Sequence, residues 1–168
     1  MCLQSKPEKR TKVTFLVEKI ISGGQTGVDR AALDMALELG IPCGGWCPKG
    51  RKSEDGPIPN RYPLQETGST SYPVRTAKNV RDSDGTLVLT MGPPMGGTAL
   101  TIKLAKAREK PLLGLDLNKC GDALLTRTWI LTNRIKILNI AGPRESECPG
   151  VYRQASGFLR ALLEANLT

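Results

Sequence analysis

The chain contains no histidine. That absence removes Ser-His-Asp and Cys-His nucleophile systems, imidazole general bases and histidine-held metals. Any chemistry must come from carboxylates, lysine, arginine, tyrosine or a bound cofactor, and no catalytic set is assigned. Aromatic residues make up only 4% of the chain. Trp46, Tyr62, Tyr72, Trp129 and Tyr152 do not interleave with basic residues as a nucleic-acid groove requires, so nucleic acid is not an expected partner. Lys103, Lys106 and Lys110 fall along one helix side and read as a solvated face.

Long apolar runs are also missing. Stretches such as Phe15-Leu16-Val17 are far too short to cross a bilayer, and residues 1–12 are basic without the apolar core of a signal peptide. The expectation is a cytoplasmic protein with no membrane partner. The cysteines are few and odd in number (Cys2, Cys43, Cys47, Cys120, Cys148), which points to free thiols in a reducing compartment. Cys43 and Cys47 lack the second pair that a zinc site needs, and an even offset along a strand would put both on one face. They read as buried and inert, and no metal site is assigned.

What is present starts with size and charge. At 168 residues the chain suits one domain, with a polar basic tail at 1–12 and a single folded domain at 13–168. The net charge of +8 favours anionic partners.

Strand and helix patterns alternate along the domain. Lys19–Ser22 reads as a first strand and Pro42–Cys47 as a second. Thr86–Thr90, Pro111–Leu115 and Ile135–Ile140 follow as strands three to five. Helices are expected at about 27–39, where Val28, Ala32, Met35 and Leu39 share a face and Gly40 ends the run, and at 74–82 and 121–133. A further helix opens at Gly96, and a last one reaches about residue 165 with Leu159, Leu162 and Leu163 inward. Arg30 and Asp34 are spaced for an i,i+4 ion pair. Residues 48–71 show neither period, and a loop that long is more often functional than idle. The alternation predicts an α/β fold with βαβ units and a mainly parallel sheet.

Two glycine loops carry the functional signal. Ser22-Gly23-Gly24-Gln25-Thr26-Gly27 joins strand one to its helix, and Gly96-Gly97-Thr98 opens the helix after strand three. Unpaired N–H groups and the positive end of a dipole collect at such places, glycine lets an anion approach, and threonine adds a hydroxyl. With strands in the order 2-1-3-4-5, both loops would flank one crevice at the switch point of the sheet. Lys49, Arg51 and Lys52, after strand two, could neutralise an oxyanion there. Asp29 would favour the helix dipole and Arg75 is a weaker candidate. Neither loop is a Walker motif or G-x-G-x-x-G, which argues against nucleotide hydrolysis of the Walker type and against nicotinamide chemistry.

Several blocks in order carry a family resemblance: "SGGQTGVDRAALD", "GGWCPKGRKSEDGPIP", "YPLQET", "RTAKNVRDSDGTLVL", "GGTALT" and "AGPRES". Together they resemble the putative molybdenum carrier family, within the wider LOG/SLOG group, over about residues 19–165. The resemblance implies a single-domain Rossmann-like three-layer αβα sandwich that binds the molybdenum cofactor, a pterin dithiolene ending in a phosphate. It also implies homo-oligomers, and exchange of the cargo with molybdoenzymes or cofactor-biosynthesis proteins. The expected binding set is Ser22, Gly23, Gly24, Gln25, Thr26, Gly27, Asp29, Arg30, Lys49, Arg51, Gly96, Gly97 and Thr98. The LOG relatives carry a glutamate in P-G-G-x-G-T-x-x-E. Here Met95-Gly96-Gly97-Thr98-Ala99-Leu100-Thr101 lacks it. A nucleotide-binding protein or phosphoribohydrolase is therefore the alternative, with Glu54, Asp55 or Glu66 as conceivable acids.

Overall fold

Five parallel strands form the central sheet of the computed structural model, which describes residues 14–119 and 121–164. In chain order the elements are β1 (Lys19–Ile21), α1 (Val28–Leu39), β2 (Cys43–Gly44), β3 (Trp46–Cys47), β4 (Lys52–Ser53), β5 (Gly56–Pro57) and β6 (Gln65–Glu66). Then come α2 (Tyr72–Arg81), β7 (Gly85–Thr90), α3 (Gly96–Ala107), β8 (Leu112–Asp116), α4 (Ala123–Thr132), β9 (Ile137–Ala141) and α5 (Val151–Leu163). The tail expected at 1–12, Cys2 and Cys120 lie outside the described residues, and the last helix, expected to reach about residue 165, ends at Leu163.

The sheet order is β2-β1-β9-β7-β8, and every pairing within it is parallel. Helices α1, α5 and α4 lie side by side on one face, while α2 and α3 pack together on the other. Leu87 and Leu89 of β7 join the core under α1 and α5. This is the expected three-layer αβα sandwich. The expected strand order is corrected, because β9 sits between β1 and β7. Burial gives the reason. Leu138, Asn139, Ile140 and Ala141 are all buried, so this strand needs neighbours on both sides. The half-exposed β8 tolerates an edge. Counted from β7, the same sheet reads 2-1-3-4-5, a doubly wound order entered in the middle. Its switch point then falls between β7 and β9 rather than between β1 and β7.

The second strand is also corrected. Gly45, at φ 126°, breaks it, and a Cβ there would stand 2.3 Å from the Ser22 carbonyl oxygen. Cys43–Gly44 stays in the main sheet as β2, and β3 leaves to pair with β6. Cys47 is buried and Cys43 half-buried against the same small core. Burial pushes both thiols above their usual pKa.

The segment 48–71 is folded rather than structureless. Ile58, Tyr62 and Leu64 close a second core with Leu33 of α1 and Cys47, and β4 and β5 form a short antiparallel hairpin. Arg51 holds the segment together, donating to the carbonyls of Ile58, Pro59 and Tyr62 at 2.9 Å and of Leu64 at 3.3 Å. This second core also undoes the expected Arg30–Asp34 pair. Arg30 instead meets Asp55 at 2.6 Å, while Asp34 accepts from Tyr62 at 2.8 Å and from Tyr152 at 2.7 Å.

Gly24 packs directly on this core. Its φ is +76°, and a Cβ would lie 2.5 Å from Leu64 Cδ1 and 3.0 Å from Ile58 Cδ1. Gly50 has the same φ with nothing within 4 Å. Gly50→Ala should cost only the left-handed strain of about 1–2 kcal/mol. Gly24→Ala should add overpacking of about 1–3 kcal/mol. Urea unfolding midpoints check the pair, and equal losses would contradict the packing account.

Candidate functional site

The carboxyl ends of β1, β9 and β7 bring three turns together, and α2 adds its first turn from the side. Gln25, Asp29, Arg75, Gly97, Thr98, Thr101, Gly142, Arg144 and Glu147 border a crevice of about 30 Å³, room for one or two waters or the tip of an oxyanion. Thr98 and Glu147 also border a larger neighbouring cavity of about 290 Å³, with Met91, Pro93, Pro94, Met95, Pro143 and Cys148 among its walls. A narrow polar crevice thus opens beside a broad, mainly apolar cavity.

Gln25 is the central donor. It is 5% exposed, and its Oε1 accepts the N–H groups of Thr26 and Glu54, each at 3.0 Å. Two donors on one oxygen fix which way the amide points, since the flipped amide would face N–H with N–H. Nε2 is thereby directed away from them, buried and without a hydrogen-bond partner. An orphaned buried donor is costly unless something occupies it.

Arg75 supplies the buried charge. Its Nη1 stands 3.2 Å from Asp29 Oδ2, with side-chain exposures of 14% and 4%, and its Nε is also buried without a partner. The guanidinium lies across Gly23, where a Cβ would sit 1.8 Å from Nη1. Arg144, from the turn after β9, is half-buried. It reaches Glu147 at 3.3 Å and Glu54 at 3.9 Å, and stacks over Tyr72. The first turn of α3 completes the crevice. Gly97 has nothing within 4 Å of its Cβ position, and Gly96 has only Glu147 Oε1, at 3.8 Å. The Thr98 and Ala99 amides turn back to the Met95 carbonyl, at 3.0 and 3.2 Å, so the donors this end presents are those of Gly96 and Gly97, with the positive end of the dipole.

The start of α1 is different, and here the expected cradle is corrected. The Pro143 carbonyl accepts the Val28 N–H at 3.3 Å, and a Cβ on Gly27 would meet that oxygen at 2.4 Å. Asp29 accepts the Gln25 N–H at 3.2 Å. Residues 143–145 therefore fill the place expected for an anion. The neighbouring candidates are committed to the fold. Ser22 donates to the Ile140 carbonyl at 2.7 Å. The Thr26 hydroxyl donates to Glu54 and accepts the Glu145 N–H. Arg30 donates to the Gly24 carbonyl, Ser53 and Asp55. Gly23 and Gly24 make room for Arg75 and the second core, Arg51 is spent on loop carbonyls, and Lys49 is exposed away from the crevice. Gln25, Asp29, Gly97 and Thr98 do meet there, with Gly96 at the adjoining cavity.

Arg144 and Glu147 were missed because nothing about their spacing links them to either glycine loop. Only the "AGPRES" block hinted at that turn. Arg75 lies away from both loops in the sequence, and nothing in its spacing ties it to them. The three acids named in the sequence reading are tied to the fold: Asp55 to Arg30, Glu66 to the Gly50 N–H, and Glu54 to Thr26 and Ser146.

The topology and site together define a class. The chain belongs to the circularly permutated YpsA SLOG family, whose model matches residues 20–163, in keeping with a doubly wound order entered at its middle. Among solved structures, it is similar to a protein from Syntrophus aciditrophicus SB described as a putative molybdenum carrier protein. The identity is 46% and the TM-score 0.86, over 88% of this chain and 96% of that one. No curated protein matches. Family and neighbour support a ligand-binding role.

Two carboxylates near the site should affect stability with opposite sign. Burial raises Asp29 above its usual 3.8, against the pull of Arg75. The stability it contributes is complete below 3.8 and is lost as pH rises through the higher folded value. Hydrogen bonds from Arg30 lower Asp55 from 3.8 to about 2. Its contribution is present above 3.8 and is lost as pH falls toward about 2. Melting temperature should therefore fall less steeply on the acid side in Asp55→Asn, with Glu54, Asp82 and Asp116, also lowered, still contributing a limb. In Asp29→Asn it should lose a decline above pH ~4. Unchanged profile shapes would contradict both assignments.

Proposed function

We propose that this protein binds an anionic, phosphorylated ligand, with a phosphate in the crevice and the organic body in the adjoining cavity. One observation carries the reading: the buried, unpartnered Nε2 of Gln25, a residue that borders the same crevice as Arg75, Arg144 and the open first turn of α3. Gln25 and the arginines would hold phosphate oxygens by charge-assisted hydrogen bonds, and the α3 amides would complete the shell. The 290 Å³ cavity, walled by Met91, Pro93, Pro94 and Met95, suits a flat heterocycle.

The cargo proposed is the molybdenum cofactor, a phosphate-ended pterin dithiolene, which fits a small oxyanion subsite beside a larger apolar one. The similar protein described as a molybdenum carrier supports that choice. Exchange with molybdoenzymes or cofactor-biosynthesis proteins belongs to the same proposal. Glu147 favours a second reading, a nucleotide ligand or substrate, because it places a carboxylate where the crevice and cavity meet. Arg144 meets that carboxylate at 3.3 Å.

Mass spectrometry and metal analysis of the natively purified protein should identify a phosphorylated pterin with molybdenum. Calorimetric titration with inorganic phosphate, a phosphorylated pterin and AMP then ranks the ligands. Gln25→Glu keeps the acceptor for Thr26 and Glu54 and turns the orphan donor into an anion. It should weaken the phosphorylated ligand by about 10–100-fold or more with the fold intact, and Arg144→Gln by about 10–100-fold. Undiminished affinity in folded variants would reject the subsite.

The enzyme reading makes its own prediction. No free base should be released from AMP by micromolar protein, since a nucleosidase needs a carboxylate free to move a proton. Turnover near ~1 s⁻¹ that is lost in Glu147→Gln would replace the carrier reading with the enzyme.

A further inference from the structure

We infer that Glu147 is a displaceable internal anion, whose carboxylate holds Arg144 until the phosphate of a ligand takes its place. The inference rests on the crevice being the phosphate subsite proposed above. Glu147 Oε1 lies 3.3 Å from Arg144 Nε and 3.8 Å from the Cβ position of Gly96, the first residue of α3. It stands between the two features that attract a phosphate oxygen, a guanidinium and a helix N-terminus. The space beside it, about 30 Å³, holds one or two waters, so a whole phosphate enters only if a side chain yields.

The two carboxylates on Arg144 are held very differently. Glu54, 3.9 Å from Arg144 Nη1, is fixed by the hydroxyls of Thr26 and Ser146 and by the Ser146 N–H. It stays. Among the described residues, the Glu147 carboxylate has Arg144 as its only ionic or hydrogen-bonding partner, and its side chain is 43% exposed. So open an ion pair contributes little to stability, and rotation of the side chain alone carries the carboxylate into water. Arg144 keeps its place when that happens, between Glu54 and the ring of Tyr72.

Charge gives an independent reason for the exchange. Arg75 and Arg144 are faced by Asp29, Glu54 and Glu147, more carboxylates than cations. A phosphate arriving with all three in place would meet an excess of its own sign. Turning Glu147 outward removes that excess and frees Arg144 for the ligand. The cost is the same for every anion. A ligand whose body fills the adjoining cavity has further contacts to set against it, and a small inorganic anion has none. Glu147 thereby keeps small anions from holding the crevice when no ligand is bound.

Calorimetric titration of the full chain with inorganic phosphate and with AMP tests this, circular dichroism confirming that each variant is folded. Glu147→Gln keeps the shape and removes the charge, and should bind both about 2–5-fold tighter than the wild type. Glu147→Asp keeps the charge but is one methylene shorter, which takes it out of reach of Arg144, and it should bind tighter too. Tighter binding in Glu147→Gln alone would mean that the charge acts at a distance, and overturns the displacement. Unchanged or weaker binding in Glu147→Gln overturns it as well. Gln25→Glu tells that failure from failure of the subsite. If it weakens binding while Glu147→Gln does not strengthen it, the subsite stands and only the displacement falls. If neither substitution alters the affinity, or neither ligand binds, both fall.

Discussion

The ion pair between Arg75 and Asp29 is the contact around which the functional end of the molecule is organised. It joins the first turns of α2 and α1 across the end of β1, with both groups nearly out of solvent. Removing two charges from water is expensive. Such a pair persists only when its geometry and further hydrogen bonds compensate, and losing either partner strands the other. Asp29 is braced by the Gln25 N–H as well as by Arg75. Arg75 keeps a buried Nε without a partner. Gly23 exists in this arrangement to admit a side chain of the same protein, because any Cβ would occupy the guanidinium's place.

That constraint moves the candidate site by one strand. With residues 143–145 packed on the start of α1, the first helix N-terminus is spent internally, while that of α3 stays open beside Arg144 and Glu147. The doubly wound order, counted from β7, puts its switch point between β7 and β9. A crevice forms there because successive helices leave to opposite faces. Gln25 borders this crevice while its oxygen is fixed by the first loop and by Glu54, and its nitrogen stays buried without a partner.

The 48–71 segment shows how one stretch can read as loop and still be ordered. Its strands are two residues long, too short for a period to register in sequence. Its order comes from Ile58, Tyr62 and Leu64 closing on Leu33 and from Arg51 tying carbonyls that no ladder satisfies. The segment delivers the Glu54 amide to Gln25 and Glu54 itself to the turn after β9. It is therefore part of the scaffold of the crevice.

By itself the sequence determined the class of fold and the positions of the main helices and strands. Those follow from local periodicity, turn chemistry and composition, which act over a few residues. Val28, Ala32 and Met35 are buried in α1, and Leu159, Leu162 and Leu163 in α5, as their spacing requires. Gln25 and Gly96 to Thr98 also stood out from the loop pattern alone. Only the tertiary structure decided which strands are neighbours, which glycine loop stays open, and that Arg75 and Arg144 converge from turns far apart in the chain. Glycine marks a close approach, but the sequence does not name what approaches: at Gly23 it is an arginine, at Gly27 the backbone of another turn, and at Gly97 open space. The difference lies in contacts between residues far apart in the chain, as with Gly23 and Arg75 or Val28 and Pro143, and no local pattern carries that information.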